Sequence, residues 1–401
     1  MSKGMVVTNM TKTPTATIIT NATLYNGNIG GVQRDAALRF EGNRITHVGN
    51  VAEADTWPKE NTEIIDAQGA PVVPGYIDVH HHGGGGVAYD DGPEAALKAL
   101  AEHAQHGTTR CVLSFVTDSL DIMEKRLHEA AELVRNNPRV LGLHPEGPFL
   151  DVGHKGAHPE KELKDPTPEN VQRLIDAGEG TVVQMTLAPE KKGGLESVEL
   201  LAKQGVVAAV GHTSCDYETA REAFNRGATQ LTHAFNGMNG IHHRAPGPVI
   251  ASLRDERVWL EIINDGIHVH PQVVRSLFVE APERVVLVTD AMSATCNPDG
   301  HYMLGQLEVV VKDGVARLAE GDSLAGSTLT MDRAVANAVH QVGVDLSTAI
   351  AAATSHAARC IGMDKDYGYL AVDYPADVLI LDEDTLLPHR IFADGEEVTA
   401  A

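Results

Sequence analysis

The chain has 401 residues and a formal net charge of −23, with 43% of its residues apolar and 22% charged. It is long enough for two domains and a sizeable core, with the composition of an ordinary globular protein. The acidic balance excludes non-specific binding to nucleic acid or to an anionic membrane surface, both of which need clustered Lys and Arg. A few local cations are still enough to hold a small anionic substrate.

The amino end, MSKGMVVTNMTKTPTAT, lacks the apolar core of a signal peptide, and its first dozen residues read as a tail. No run approaches membrane-spanning length. Four cysteines, Cys111, Cys215, Cys296 and Cys360, stand far apart with no C-x-x-C pair. That is neither a disulfide framework nor a zinc knuckle, and it suits a reducing cytoplasm.

From Ala16 to Pro74 the texture is β and turn: TIITNATLYNG, AALRFEGNRITHVG and TEIIDAQGAPVVPG are short alternating or β-branched runs broken by Asn-Gly, Gly-Asn and Gly-Ala. The same texture returns in GYLAVDYPADVLILDED and HRIFADGEEV near the carboxyl end. We therefore expect one small β-sandwich domain built from both ends of the chain, residues 1–74 plus 363–401.

Between them, over residues 75–362, strand-like and helix-like segments alternate. Eight strands are expected, at Tyr76–Val79, Thr109–Phe115, Arg139–Leu143, Thr181–Leu187, Val206–Val210, Ala228–Thr232, Val258–Ile263 and Arg284–Thr289. Helices are expected at Glu94–His106, Asp121–Asn136, Thr167–Ala177, Leu195–Gln204 and Pro271–Val279, and another after Val210 with Thr213 or Ser214 as its cap. Eight strand–helix units in this length of chain predict an α/β fold, a (β/α)₈ TIM-like barrel.

Chemistry-bearing residues gather at the carboxyl ends of these strands. The first ends in His80-His81-His82-Gly83; alternate residues of a strand share a face, so His80 and His82 point together into the barrel and can bind one ion through two imidazoles. The third ends in His144-Pro145-Glu146, whose carboxylate can bridge two divalent ions or complete one site with two histidines. The fifth and sixth deliver His212 and His233. The eighth ends in Asp290 after an apolar run, where a carboxylate is seldom tolerated without a partner. With 20 histidines in the chain a single strand-end His says little. Five strand ends on the rim where barrel enzymes keep their chemistry say much more.

The stretches PGYIDVHHHG, GLHPEGPFL with KGAHP after it, VGHTSCDYE, THAFNGMNGIHHRAPG, INDGIHVHP, LVTDAMSATC and LAGSTLTMDRAV resemble the amidohydrolase superfamily, and more closely its N-acetylglucosamine-6-phosphate deacetylases. The resemblance runs from about Pro74 to Gly362. Other members of the superfamily often bridge their metals with a modified lysine on strand four; TVVQMTLAPE has no lysine, and Glu146 takes that part.

The resemblance implies metal-dependent hydrolysis of N-acetyl-D-glucosamine 6-phosphate to D-glucosamine 6-phosphate and acetate, a step of amino-sugar catabolism. It implies Glu146, His212 and His233 as ligands of the main ion, His80 and His82 as ligands of a second with Glu146 bridging, and Asp290 as the acid–base group and a further contact of that second ion. One or two divalent ions per subunit are expected, zinc first among zinc, iron, manganese, cobalt and cadmium. The substrate contacts it implies are His158, the backbone N–H groups of Asn236 and Gly237, the cations Arg244 and His268, and the loop Leu324-Ala325-Gly326. Arg244 and His268 can come from a neighbouring subunit of a homodimer or homotetramer, and no nucleic acid or membrane partner is implied. Alternatives are N-acetylgalactosamine-6-phosphate deacetylation, a cyclic amidase of the same superfamily, and a non-catalytic barrel scaffold.

Overall fold

The computed structural model describes residues 15–399; the amino-terminal dozen read above as a tail lie outside the described residues. Eight strands, Tyr76–His81, Thr108–Val116, Val140–Glu146, Gln184–Leu187, Val207–Val210, Gln230–Leu231, Trp259–Ile263 and Val285–Val288, run parallel, each paired with the next in sequence. All eight expected strands are present. The fourth begins at Gln184 instead of Thr181, and the sixth shrinks to two residues. Thr108–Val116 and Val140–Glu146 are buried at every position, which is why they read as continuous runs and not as alternating ones.

The barrel closes between its first and eighth strands. The Asp290 N–H donates to the His80 carbonyl at 2.9 Å, and the His82 N–H donates to the Ala291 carbonyl at 2.7 Å. Below them the Thr289 hydroxyl donates to Asp78 Oδ2, and burial pushes the Asp78 carboxyl up to about 7. Closure itself thus brings the H-x-H strand beside Asp290.

Helices at Pro93–Ala104, Leu120–Asn136, Pro168–Ala177, Gly194–Lys203, Tyr217–Asn225 and Pro271–Glu280 cover the barrel. Thr167 caps the third of these by accepting from the Asn170 N–H, and Pro168 occupies its first turn. The helix after the fifth strand is capped by Asp216, not by Thr213 or Ser214 as expected. Those two residues are engaged instead by Glu190, which accepts from the Thr213 hydroxyl and from the Ser214 N–H.

Both chain ends build a second sheet. Ala16–Tyr25, Val32–Glu41, Arg44–Asn50, Thr62–Asp66 and Pro71–Pro74 join Val378–Leu381, Pro388–Ala393 and Glu396–Glu397. The sheet folds over on itself, so that Phe40 and Phe392 meet with ring centroids 5.2 Å apart around an apolar core of its own. Buried Arg110 of the second barrel strand fastens it to the barrel, donating to Asp377 at 2.6 Å and to Asp394 at 2.5 Å.

A third unit has no counterpart in the expected elements. Gly300–Leu304, Leu307–Lys312 and Val315–Leu318 form an antiparallel sheet over the carboxyl rim. Leu304, Val309, Val311 and Ala316 pack against Val116, Ala157 and Met292.

Candidate active site

The turns that leave the fifth, sixth and eighth strands each hold a site residue in the left-handed region: His212 at φ 46°, His233 at 24° and Asp290 at 51°. Such conformations cost on the order of 1–3 kcal/mol each and persist only where the surroundings impose them. Here they turn each side chain inward at the rim. Two glycines make room for the His212 ring: a Cβ on Gly237 would stand 2.8 Å from its Nδ1, and one on Gly156 would stand 3.2 Å from its Cε1.

Glu146 is the hub. Its Oε1 lies 3.1 Å from His233 Nε2, 3.2 Å from His212 Nε2 and 3.3 Å from His80 Nε2. Its Oε2 lies 3.0 Å from His82 Nε2, which is itself 3.2 Å from Asp290 Oδ1. All six side chains are buried. Their donor atoms fall into two sets, His80–His82–Glu146–Asp290 and Glu146–His212–His233, each within 4.8 Å.

The far nitrogen of each histidine is fixed. His82 Nδ1 faces the Ser114 carbonyl at 3.2 Å, His212 Nδ1 the His154 carbonyl at 2.8 Å, and His233 Nδ1 the Asn236 carbonyl at 3.1 Å. His80 Nδ1 faces Glu261 Oε2 at 3.0 Å. A neutral imidazole that donates through Nδ1 can offer its Nε2 lone pair to an ion, and the four Nε2 atoms converge on one carboxylate. His212 Nε2 and His233 Nε2 approach to 3.0 Å, and His80 Nε2 has no hydrogen-bond partner at all. This donor set fits a divalent ion, which takes such nitrogens and carboxylates together.

The same contacts set the charges of the cluster. Burial works against charge on Glu146, yet His80, His212 and His233 hold its carboxyl well below the usual range. Burial likewise opposes ionisation of Asp290, but the His82 hydrogen bond and the nearby His80 bring it down to about 2. The bonds from Asp290 and Glu146 outweigh burial at His82 and raise it to about 9. His158 is depressed to about 3 by burial and by His212 beside it. Its Nδ1 accepts from the Thr117 hydroxyl at 2.8 Å and the Thr117 N–H at 3.4 Å, so Nε2 carries the proton. His144 is not part of the cluster: both its nitrogens are used, by Ser114 at 2.9 Å and Thr186 at 2.8 Å.

Above the cluster lies a cavity of about 290 Å³. His82, Glu146, His212, His233 and Asp290 form its floor; His158, Asn236, Gly237, His268, Leu324 and Gly326 line its wall. His268 is bonded to Asp265 at 2.6 Å, and that bond outweighs burial to raise its pKa. The Asn236 N–H is already donated to the His233 carbonyl. Ala325 is fully buried in the apolar cluster beneath the added sheet and does not line the cavity. Arg244 lies outside the cavity, on an exposed turn beside His243.

Several contributors escaped the sequence reading. Leu304 and Ser323 reach the cavity from the added sheet and its outgoing loop, and Val116, Gly156 and Ala157 complete the wall. Glu261 was missed although it carries the signal that singled out Asp290, a carboxylate inside an apolar strand, Trp259–Ile263.

A parallel eight-stranded barrel with this buried histidine–carboxylate cluster on its carboxyl rim defines the class of metal-dependent barrel hydrolases. The family model of the Amidohydrolase family matches residues 72–399, and the chain belongs to that family. The chain is 41% identical over 77% of its length, and 83% of the relative's, to an N-acetylgalactosamine-6-phosphate deacetylase from Escherichia coli O157:H7. It is 32% identical to the N-acetylglucosamine-6-phosphate deacetylase of Vibrio furnissii, with 88% of each covered. Among solved structures it is similar to the N-acetyl-D-glucosamine-6-phosphate deacetylase of Mycobacterium smegmatis in complex with N-acetyl-D-glucosamine 6-phosphate. That match has a TM-score of 0.90 and 37% identity and covers 96% of this chain and 100% of the other.

Proposed function

We infer that this chain hydrolyses the acetamide of N-acetyl-D-glucosamine 6-phosphate to D-glucosamine 6-phosphate and acetate. The observation that carries the reading is Glu146 ringed by four imidazole Nε2 atoms, with ionised Asp290 facing the same cavity. Glu146, His212 and His233 would hold the main ion; His80, His82 and Asp290, with Glu146 bridging, would hold a second. Such an ion, zinc by preference, supplies Lewis acidity that brings a water's pKa towards 7 and polarises a carbonyl.

The protein's own groups do the rest. Asp290, ionised at neutral pH, accepts a proton from the water that adds to the acetamide carbon, and returns it to the amine nitrogen as the C–N bond breaks. His158 donates its Nε2–H to the carbonyl oxygen as negative charge grows there. His268 and the Gly237 end of the turn receive the sugar phosphate, joined by Arg244 from a neighbouring subunit; the Asn236 N–H, spent on the His233 carbonyl, takes no part. Leu324 and Gly326 lie over the ring. The protein acts in the cytoplasm as a homodimer or homotetramer, with residues 75–362 as the catalytic domain and residues 1–74 plus 363–401 as the β domain. Among the described residues no helix is long and apolar enough to cross a membrane.

Acetate release from N-acetylglucosamine 6-phosphate, with metal analysis of wild type and Asp290→Asn, tests the reading. The variant keeps the ion at Glu146, His212 and His233 and loses about 10²–10⁴ in kcat. Full turnover in Asp290→Asn overturns the acid–base assignment. The galactosamine epimer and the unphosphorylated sugar run alongside fix the substrate class.

A further inference from the structure

Of the four imidazoles around Glu146, only His80 has a carboxylate, not a main-chain carbonyl, behind it. Glu261 projects from the seventh strand into the barrel interior and is wholly buried. Its Oε2 lies 3.0 Å from His80 Nδ1 and also accepts the His233 N–H at 3.1 Å. Its Oε1 accepts from the Gln230 amide. That same amide is 3.3 Å from Gln184 Oε1, and Gln184 Nε2 donates to the Val79 carbonyl at 2.9 Å. The bonds therefore close a circuit through the barrel floor, from Val79 through Gln184, Gln230 and Glu261 back to His80.

A buried carboxylate without donors is expensive, and this one has three. A carboxylate oxygen that already takes the His233 N–H serves His80 as an acceptor, so the His80 nitrogen facing it carries hydrogen, and in the neutral ring the other nitrogen is the one left open to the cluster. We propose that Glu261 is a positioning residue for the ion site: it fixes the His80 ring with Nε2 open to metal while pinning the His233 backbone. A single side chain would thus orient a ligand of each ion. This rests on the two-ion reading above, in which His80 is a ligand. A Glu261→Gln replacement would keep one acceptor for His233 but put an N–H donor in the shared acceptor set. Either orientation of that amide sets an N–H against a donor, the Gln230 amide if the oxygen stays on His80 and His233, or His80 Nδ1 if it turns, so the anchor that holds Nε2 towards metal is weakened.

The test is zinc stoichiometry and affinity, by competition with a chelator, for wild type, Glu261→Gln, Glu261→Asp and His80→Asn in the full chain. The expected result is two ions in wild type and a second-ion affinity about 10–100-fold weaker in Glu261→Gln, with the first ion much less affected. Glu261→Asp, which remains acceptor-only, recovers part of the loss; a purely structural role would lower thermal stability in both variants without selecting one ion. Wild-type affinity for both ions in Glu261→Gln overturns the proposal. Nitrogen-15 spectra of zinc-loaded wild type, with the His80 signal identified by its loss in His80→Asn, read the ring directly even where Glu261→Gln does not fold. Hydrogen on Nδ1 is expected, and hydrogen on Nε2 overturns the proposal. A wild type that binds one ion, with metal binding unchanged in His80→Asn, overturns the two-ion reading itself and is distinguishable from either result for Glu261.

Discussion

His212 Nε2 and His233 Nε2 lie 3.0 Å apart, and both stand within 3.2 Å of Glu146 Oε1. Two neutral imidazoles this close oppose their lone pairs unless a proton or a cation lies between them, and only the cation also satisfies both nitrogens and the carboxylate at once. The fold therefore holds a polar cluster whose natural complement is an ion.

Chelation should then cost stability. An ion at a thousandfold excess over its Kd stabilises the native state by about 4 kcal/mol. Stripping it is expected to lower Tm by about 5–10 °C, with recovery on adding back zinc. Calorimetry of stripped and reloaded protein checks this; identical melting curves would remove the ion from the folded state.

Gly237 should be intolerant of any side chain. Its φ is +59°, and an added Cβ would stand 2.8 Å from His212 Nδ1. Gly237→Ala is expected to cost at least about 1 kcal/mol of stability. Displacing His212 should also weaken zinc binding about tenfold. Urea unfolding and a chelator titration measure the two effects, and wild-type zinc affinity would show that the ring has room to move.

Stability should fall with acid through His356, away from the cluster. Burial depresses this histidine to about 4, and its Nδ1 donates to the Val285 carbonyl at 2.9 Å. Unfolded, it titrates near 6.5. Between about pH 6.5 and pH 4 the unfolded chain therefore binds a proton that the native state refuses, and stability rises with pH in that window by up to about 1.4 kcal/mol per unit. Above pH 7 the group makes no contribution to the slope. His356→Asn keeps a donor near the Nδ1 position and removes the titration, so its deficit relative to wild type should narrow by about 1–2 kcal/mol between pH 7 and pH 5. A constant deficit in urea unfolding at the two values would contradict this.

Arg244 should act across subunits. Its side chain is exposed on a turn outside its own cavity. Arg244→Ala is expected to raise KM for the phosphorylated sugar about tenfold or more, the loss of one charge-assisted contact, while leaving Tm unchanged. Mixing it with Asp290→Asn under subunit exchange should restore about a quarter of wild-type sites in a twofold dimer, where each site borrows its arginine from the partner. No recovery on mixing would place Arg244 in its own subunit's chemistry or in none.

Much of this was legible in one dimension. Continuous apolar runs at regular intervals mark strands buried on both faces, and the residue type that ends each run is plain to read: His80, His82, Glu146, His212, His233 and Asp290 all stand where the barrel rim was expected. The alternation of side chains along a strand already separates His80 and His82 from His81, which packs against Tyr89 and His103 outside the cluster.

Other features were not. The antiparallel sheet at Gly300–Leu318 has strands of four to six residues, and its value lies in placing Leu304 over the cavity. The cap at Asp216 displaced Thr213 and Ser214 because Glu190, some twenty residues earlier, claims their donors. Neighbouring residues alone determine periodicity and which side chains stand at the ends of strands, so the chain by itself determined the barrel and its candidate ligands. Only barrel closure decided that Glu146 meets four imidazoles, that Glu261 stands behind His80, and that Arg244 faces away. Those relationships join residues up to about two hundred positions apart, and their distances exist only once the first strand hydrogen-bonds to the eighth.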